Sequence, residues 1–285
     1  MRVLFFILLV GLFSSSLQAQ DYLISTPNTS LLITATPGEK SIFQYYGSLI
    51  TSQDIQGVYD SGLAFNVETY PAFGLNTAGE RAIAVTHDDG NMSLDLVVDE
   101  VKQYMTEEGS VTEICQKDKV YPFIVRQFFK SYEGTDIIST WVKIENQGKT
   151  PVTLYRFASA FLPIHRGDNW MTHFHGHWGA ENTMEEELLT NGQKVISNKD
   201  GLVNTETDNP SFMLTVDGRS SEEHGHVFAG TLAWTGNYLI KADVRNTRLN
   251  VIAGINEENS HYILEPKDTF TTPEFAMTYS TTGKG

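Results

Sequence analysis

Strand-like runs follow one another along nearly the whole chain, and no long stretch carries helical periodicity. Short runs of β-branched and aromatic residues alternate with polar ones at residues 30–35, 94–98, 121–129, 137–144 and 153–161. The pattern resumes at 212–216, 228–234, 238–244, 248–255 and 275–279. Turn residues separate them: Asp89-Gly90-Asn91, Glu145-Asn146-Gln147-Gly148, Asn191-Gly192, Asp217-Gly218 and Thr235-Gly236-Asn237. The last predicts a hairpin, because Gly and Asn tolerate positive φ between two strand-like runs. Residues 97–105 fit a strand or a helix, and residues 184–189 predict a short turn. There is no fixed-period repeat and no Pro/Gly/Ser-rich linker. An all-β fold is predicted, one large two-sheet sandwich over residues 21–285.

The first twenty residues read differently. Arg2 precedes an apolar run at residues 3–13, which has signal-peptide length and is short for a membrane span. Three serines and Leu17-Gln18-Ala19-Gln20 follow, so cleavage is expected after Ala19 or Gln20. An uncleaved anchor is the alternative. The expected location is the periplasm or the exterior, with no membrane partner for the mature chain. The net charge of −15 argues against nucleic acid and anionic membranes, which require a basic face. Cys115 is the single cysteine. It has no partner for an internal disulfide and no nearby His to activate it, so a half-buried structural thiol is expected.

The densest group of chemically active side chains is Met171-Thr172-His173-Phe174-His175-Gly176-His177-Trp178-Gly179-Ala180-Glu181. In a strand His173, His175 and His177 share one face. Three imidazoles there could bind a transition metal. His175, His177 and Glu181 partly imitate the first metal-binding motif of cupins, but the upstream Gly is misplaced and no second motif follows. The preferred reading is therefore no metal, with His173, His175, His177 and Trp178 forming a polar-aromatic surface toward another domain or a sugar. His224-Gly225-His226 lies in a polar run and reads as a surface loop. Nucleophile elbows, phosphate loops and metalloprotease helices are absent, and no cofactor is implied. The carboxylate runs Asp88-Asp89 and Glu185-Glu186-Glu187 read as solvated faces. Tyr70, Phe73, Trp170, Trp178, Trp234 and Tyr238 lie in Gly-, Asn- or His-rich phrases and suit either sugar stacking or the core.

Several phrases in order resemble one family. They begin with Tyr70-Pro71-Ala72-Phe73-Gly74, His87-Asp88-Asp89-Gly90-Asn91 and His173-Phe174-His175-Gly176-His177-Trp178. Asn209-Pro210-Ser211-Phe212, Phe228 through Asn237-Tyr238, Ala253-Gly254-Ile255-Asn256 and Leu264-Glu265-Pro266 complete the set. The order resembles the N-terminal domain of family-36 glycoside hydrolases, the α-galactosidase family. The resemblance implies a β-supersandwich like that of the galactose mutarotase superfamily. In that family it precedes a (β/α)8 barrel holding an Asp nucleophile and an Asp acid/base. The barrel motifs have no counterpart here, so no catalytic residue carries over. In tetrameric members the loop after the Tyr-Pro phrase reaches a neighbouring active site, often with an Asp and an Arg. Those places fall on Thr77 and Gly79 here, a departure that leaves Asn76 and Thr77 as the candidate substrate contacts.

Three functions follow as expectations. The first is the N-terminal part of an exported α-galactosidase, from a reading frame that continues or adjoins another. Its partners would be the barrel, galactosides and further copies of itself. The second is a stand-alone galactoside-binding sandwich. The third is a cupin-like metalloprotein using the His row.

Overall fold

The computed structural model describes residues 19–74, 79–202, 208–258 and 260–285. Its elements begin with β1 (Asp21–Ser25), β2 (Thr29–Thr34), β3 (Ile42–Ser48), the short helix α1 (Ile55–Asp60), β4 (Val67–Glu68) and β5 (Ile83–Thr86). Four long strands follow: β6 (Leu96–Thr106), β7 (Gly109–Asp118), β8 (Phe123–Tyr132) and β9 (Ile138–Asn146). Next come β10 (Val152–Phe157), β11 (Ala160–Ile164), β12 (Trp170–His177), β13 (Ala180–Leu188) and β14 (Gly192–Asn198). The last group is β15 (Asp208–Thr215), β16 (Val227–Leu232), β17 (Tyr238–Arg245), β18 (Arg248–Ile255), β19 (Tyr262–Leu264), β20 (Thr269–Thr271) and β21 (Phe275–Ser280).

These strands make a supersandwich. One layer is a single antiparallel sheet in the order β13-β12-β15-β16-β21-β9-β8-β7-β6, with β20 added on β9. The other layer is divided into three smaller sheets: β1-β2-β3-β4, β19-β10-β5 and β11-β18-β17-β14. The alternation along β8 shows why the layers form. Phe123, Val125 and Phe129 are buried, whereas Arg126 and Phe128 are only half-buried. Phe128 stacks on its cross-strand neighbour Trp141, with centroids 4.9 Å apart, on the opposite face from Phe129.

Two apolar clusters fill the interior. Leu31, Ile33 and Phe43 of the first small sheet, with Ile240 and Val251 of the third, join Phe129, Phe212 and Phe275 of the large sheet. Phe43 meets Phe129 edge-on at 5.9 Å. The second cluster joins Val85, Leu154 and Leu264 to Val125, Val142 and Ile144.

Four expectations need correction. Residues 184–189 are not a turn: Met184 to Leu188 lie in β13, paired with β12. The run 153–161 is two strands, because the chain leaves one small sheet after Phe157 and enters another at Ala160. Thr235-Gly236-Asn237 does turn the chain, but it joins β16 of the large sheet to β17 of a small one. It is a crossover between layers rather than a hairpin. Cys115 is buried more completely than expected, at 1% exposure, and burial raises its thiol.

Candidate functional site

The Tyr70-Pro71-Ala72-Phe73-Gly74 phrase is a rigid entry to a loop. The Tyr70 hydroxyl is buried and donates to the Ala158 carbonyl at 2.8 Å. The Phe73 carbonyl accepts the Leu94 N–H. Gly74 has φ of 129°, and a Cβ there would stand 2.6 Å from Ser93 Cβ, so a side chain is excluded. Asn76 and Thr77, the candidate substrate contacts, lie outside the described residues. Gly79 follows against Asp243 of β17. The next side chain, Glu80, takes hydrogen bonds from Gln193 Nε2 at 2.6 Å and Arg156 at 2.5 Å. Lys241 Nζ is 3.4 Å away. Both flanks of the loop are therefore anchored, the second on the outer face of the β11-β18-β17-β14 sheet.

Arg156 ties this anchor together by also pairing with both carboxylate oxygens of Glu257. Planar bidentate pairing of this kind fixes geometry as well as charge. Burial alone would raise the Glu80 carboxyl. The Gln193 hydrogen bond and the charges of Arg156 and Lys241 outweigh it and hold Glu80 below the ordinary carboxylate range. Sequence reading passed over Glu80 and Arg156. The available signal was a charge inside the strand-like run 153–161.

Beside Glu80 lies a cavity of about 450 Å3, lined by residues from β4, the preceding loop, β11 and the turn between β17 and β18. Phe65 stacks on His165 with centroids 4.3 Å apart. Burial pushes the His165 imidazole below its ordinary value, against a smaller opposing effect of Asp217. Asn169, fully buried, organises this wall. Its Nδ2 donates to the His165 and Thr215 carbonyls at 3.0 Å each. Its Oδ1 accepts the Gly167 N–H and the Arg166 guanidinium.

The His row stands elsewhere, on the edge hairpin β12–β13. His173 is buried at 3% exposure and faces Glu187 at 3.3 Å, while Lys194 pairs with the same carboxylate. Burial would raise Glu187, but Lys194 and then His173 outweigh it and lower it. His175 is half exposed, 3.4 Å from Glu185. His177 is exposed at the hairpin end, its Nδ1 3.1 Å from the Trp178 carbonyl. Register shifts fall between His173 and His175 toward β15, and between His175 and His177 toward β13. The extra residues fall in β15 and β13 rather than in β12, so alternation along β12 is kept: the His173 and His175 rings lie 6.2 Å apart and both approach Glu185. Among the described residues, three candidate donor atoms come within 4.8 Å of one another at Asp99, Glu100 and Cys115 rather than at the histidines. Asp99 and Glu100 are already paired with Lys117 and Lys102.

Trp178 is 84% exposed at the tip of this hairpin, with Met184 and Leu188 also exposed along β13. The other flagged aromatics divide. Tyr70 and Tyr238 are core, Phe73 and Trp234 are exposed, and Trp170 is half-buried with the Arg219 guanidinium 5.3 Å above its ring. Residues 224–226 are exposed or half-exposed, as their polar surroundings predict.

The sequence profile of the glycosyl hydrolase family 36 N-terminal domain matches residues 39–265. The chain belongs to that family. Alpha-galactosidase AgaA of Geobacillus stearothermophilus is 25% identical over 233 residues, which are 76% of this chain and 32% of that protein. The bifunctional alpha-galactosidase/sucrose kinase AgaSK of Mediterraneibacter gnavus is likewise 25% identical, over 76% of this chain and 24% of its own length. The aligned stretch thus spans a third or less of these relatives' full length. Crystal structures of AgaA superpose with a TM-score of 0.85 at 22% identity, covering 93% of this chain and 41% of that one. The galactosidase domain of AgaSK superposes at 0.83 with 22% identity, covering 92% and 41%. These superpositions establish a shared fold.

Proposed function

We propose that this chain is the N-terminal, non-catalytic portion of an exported α-galactosidase that removes terminal α-linked galactose. In this reading it supports a catalytic (β/α)8 barrel, encoded in the same frame or a neighbouring one, and forms contacts between subunits. The observation that carries the proposal is the extent of the match. The family domain occupies residues 39–265, whereas the enzymes it resembles are about three times as long or more. Residues 1–20 supply the export signal in this scheme. The anchored loop around Asn76 and Thr77 is the segment that approaches galactoside. The His173, His175, His177 and Trp178 hairpin supplies a domain interface, which its exposed tip favours.

Two measurements test this. The nucleotide sequence downstream of codon 285 should encode a barrel in the same or an adjacent frame. Purified residues 21–285 should not turn over a chromogenic α-galactoside. Absence of any barrel nearby, or genuine turnover by the isolated chain, would overturn the proposal.

A further inference from the structure

The turn after β5 carries the His87-Asp88-Asp89-Gly90-Asn91 phrase, to which the enzyme reading gives no role. His87 N–H donates to the Asn91 carbonyl and Gly90 N–H to the His87 carbonyl, each at 2.9 Å. The His87 ring is buried, at 4% exposure. It lies flat on Tyr121, with centroids 3.6 Å apart and planes 7° apart, and Phe123 meets it edge-on at 6.0 Å. Tyr121 also holds the outer part of the turn. Its hydroxyl donates to Asp89 at 2.7 Å and accepts from Asn91 Nδ2 at 2.9 Å. We propose that His87 is an acid-released latch: the turn is closed while the imidazole is neutral and opens when the ring takes a proton.

The surroundings of the ring carry the inference. His87 Nε2 is buried and has no hydrogen-bond partner. A neutral ring can leave a bare lone pair there, but a protonated ring must place an N–H at both nitrogens. A buried N–H without an acceptor is costly, and this one would belong to a charged group. Asp118, Asp89 and Asp88 act in the other direction. Two of them are committed to other donors. Asp118 takes the N–H groups of Asp95, Val120 and Tyr121, and Asp89 takes the Tyr121 hydroxyl and the Asn91 N–H. Asp88 is exposed. Among the described residues no carboxylate comes within 4.0 Å of a His87 ring nitrogen, whereas His173 and His175 each have one. The face of Tyr121 would also attract a cation. Burial outweighs these attractions and holds the imidazole below its ordinary value.

Opening would reach past the turn. Leu94 N–H donates to the Phe73 carbonyl at 2.9 Å, and Gly74 lies against Ser93. Residues 87–94 therefore brace the end of the Tyr70-to-Gly74 phrase, and release of His87 loosens that brace in acid. The latch is a property of this chain itself and goes beyond the enzyme reading.

The sign follows from proton linkage. His87 binds fewer protons closed than open, so the closed turn loses stability as pH falls below the open-state value of about 6.5. Amide hydrogen exchange on the purified chain reads such local opening, expressed as protection factors that remove the intrinsic effect of pH. Protection of the His87 and Gly90 amides should be about tenfold lower at pH 5.5 than at pH 7.5, and Leu94 should follow. The Gly38 amide, bonded to the Val98 carbonyl at 2.8 Å, should be unchanged. His87→Phe keeps an aromatic ring for Tyr121 but cannot titrate, so its turn should show no such pH response. NMR titration of the wild-type His87 ring should give a midpoint below about 6.5. The proposal is overturned if protection of the turn is flat or rises in acid, or if Gly38 loses as much as His87. It is also overturned if the loss persists in folded His87→Phe, or if the ring midpoint lies above that value. Where His87→Phe does not fold, the wild-type titration decides. None of these outcomes involves a barrel or a galactoside, so they are separate from the tests of the enzyme assignment.

Discussion

Asn169 shows how much one side chain can organise. Its amide meets four separate partners, and it is fully buried. Asn169→Ala leaves the His165 and Thr215 carbonyls and the Gly167 N–H without that partner. The expected loss is about 3 kcal/mol, given about 1–3 kcal/mol for each stranded buried group and partial relaxation. A urea titration should show a lower midpoint at unchanged slope. An unmoved midpoint would show that the wall beside His165 does not depend on this amide. Asp136 performs a related task at the surface. It accepts the Asn28 N–H at 2.8 Å, the Asn28 side-chain amide at 2.7 Å and the Thr26 hydroxyl at 2.9 Å, holding the β1–β2 turn against the β8–β9 turn. Burial would raise its carboxyl, but the hydrogen bonds from Asn28 and Thr26 outweigh it and lower it. A depressed folded-state value stabilises the protein above the unfolded-state value, about 3.9 for Asp, and that gain disappears as pH falls through the folded value. Wild type should therefore exceed Asp136→Asn in stability at neutral pH, with the difference shrinking in acid. A constant difference across that range would remove the ionised carboxylate as its source.

At the scale of elements, most strands were legible because period-two burial writes itself into the residue pattern, as in Phe123, Val125 and Phe129. What was not legible is which sheet a strand joins. Thr235-Gly236-Asn237 has the chemistry of a reversal, and the chain does turn there, but turn chemistry is local whereas sheet membership depends on distant partners. The His row shows the same limit. Alternation does bring His173 and His175 to one face, with ring centroids 6.2 Å apart, but the burial of His173 and the exposure of His177 at the hairpin end depend on β13 and β15, which the row itself does not specify. Close packing between strands also depends on particular small residues. Gly230 of β16 faces inward, and a Cβ there would stand 2.3 Å from Phe275 Cζ and 3.2 Å from Phe212 Cε1. Gly230→Ala should therefore cost about 1–3 kcal/mol through overpacking, read as a lower melting temperature. Pairing Gly230→Ala with Phe275→Leu should recover part of that loss, because the clash is with the ring. No recovery would place the cost in the backbone instead.

Over the whole molecule, the sandwich class was legible but the division of its second layer was not. That division follows from long-range pairings such as β10 with both β5 and β19, more than a hundred residues apart at the extreme. It matters because the cavity and the Glu80–Arg156 anchor lie where the small sheets meet. The candidate site was legible in parts. The surface reading of Trp178 agrees with its exposure, while His165, Arg166 and Glu80 were hidden among ordinary strand and loop residues. The interface role of the hairpin can be tested at its tip. Trp178 is almost fully exposed and contributes little to the packed interior. Trp178→Ala should leave the isolated chain within about 0.5 kcal/mol of wild type. If the hairpin is a domain interface, the same change should weaken co-purification with the polypeptide encoded downstream. It should also reduce the rise in melting temperature which that partner produces by binding the folded state. A Trp178→Ala chain that retains its partner at full strength would return the hairpin tip to ordinary solvent-exposed surface, and the interface would have to be sought on another face of the sandwich.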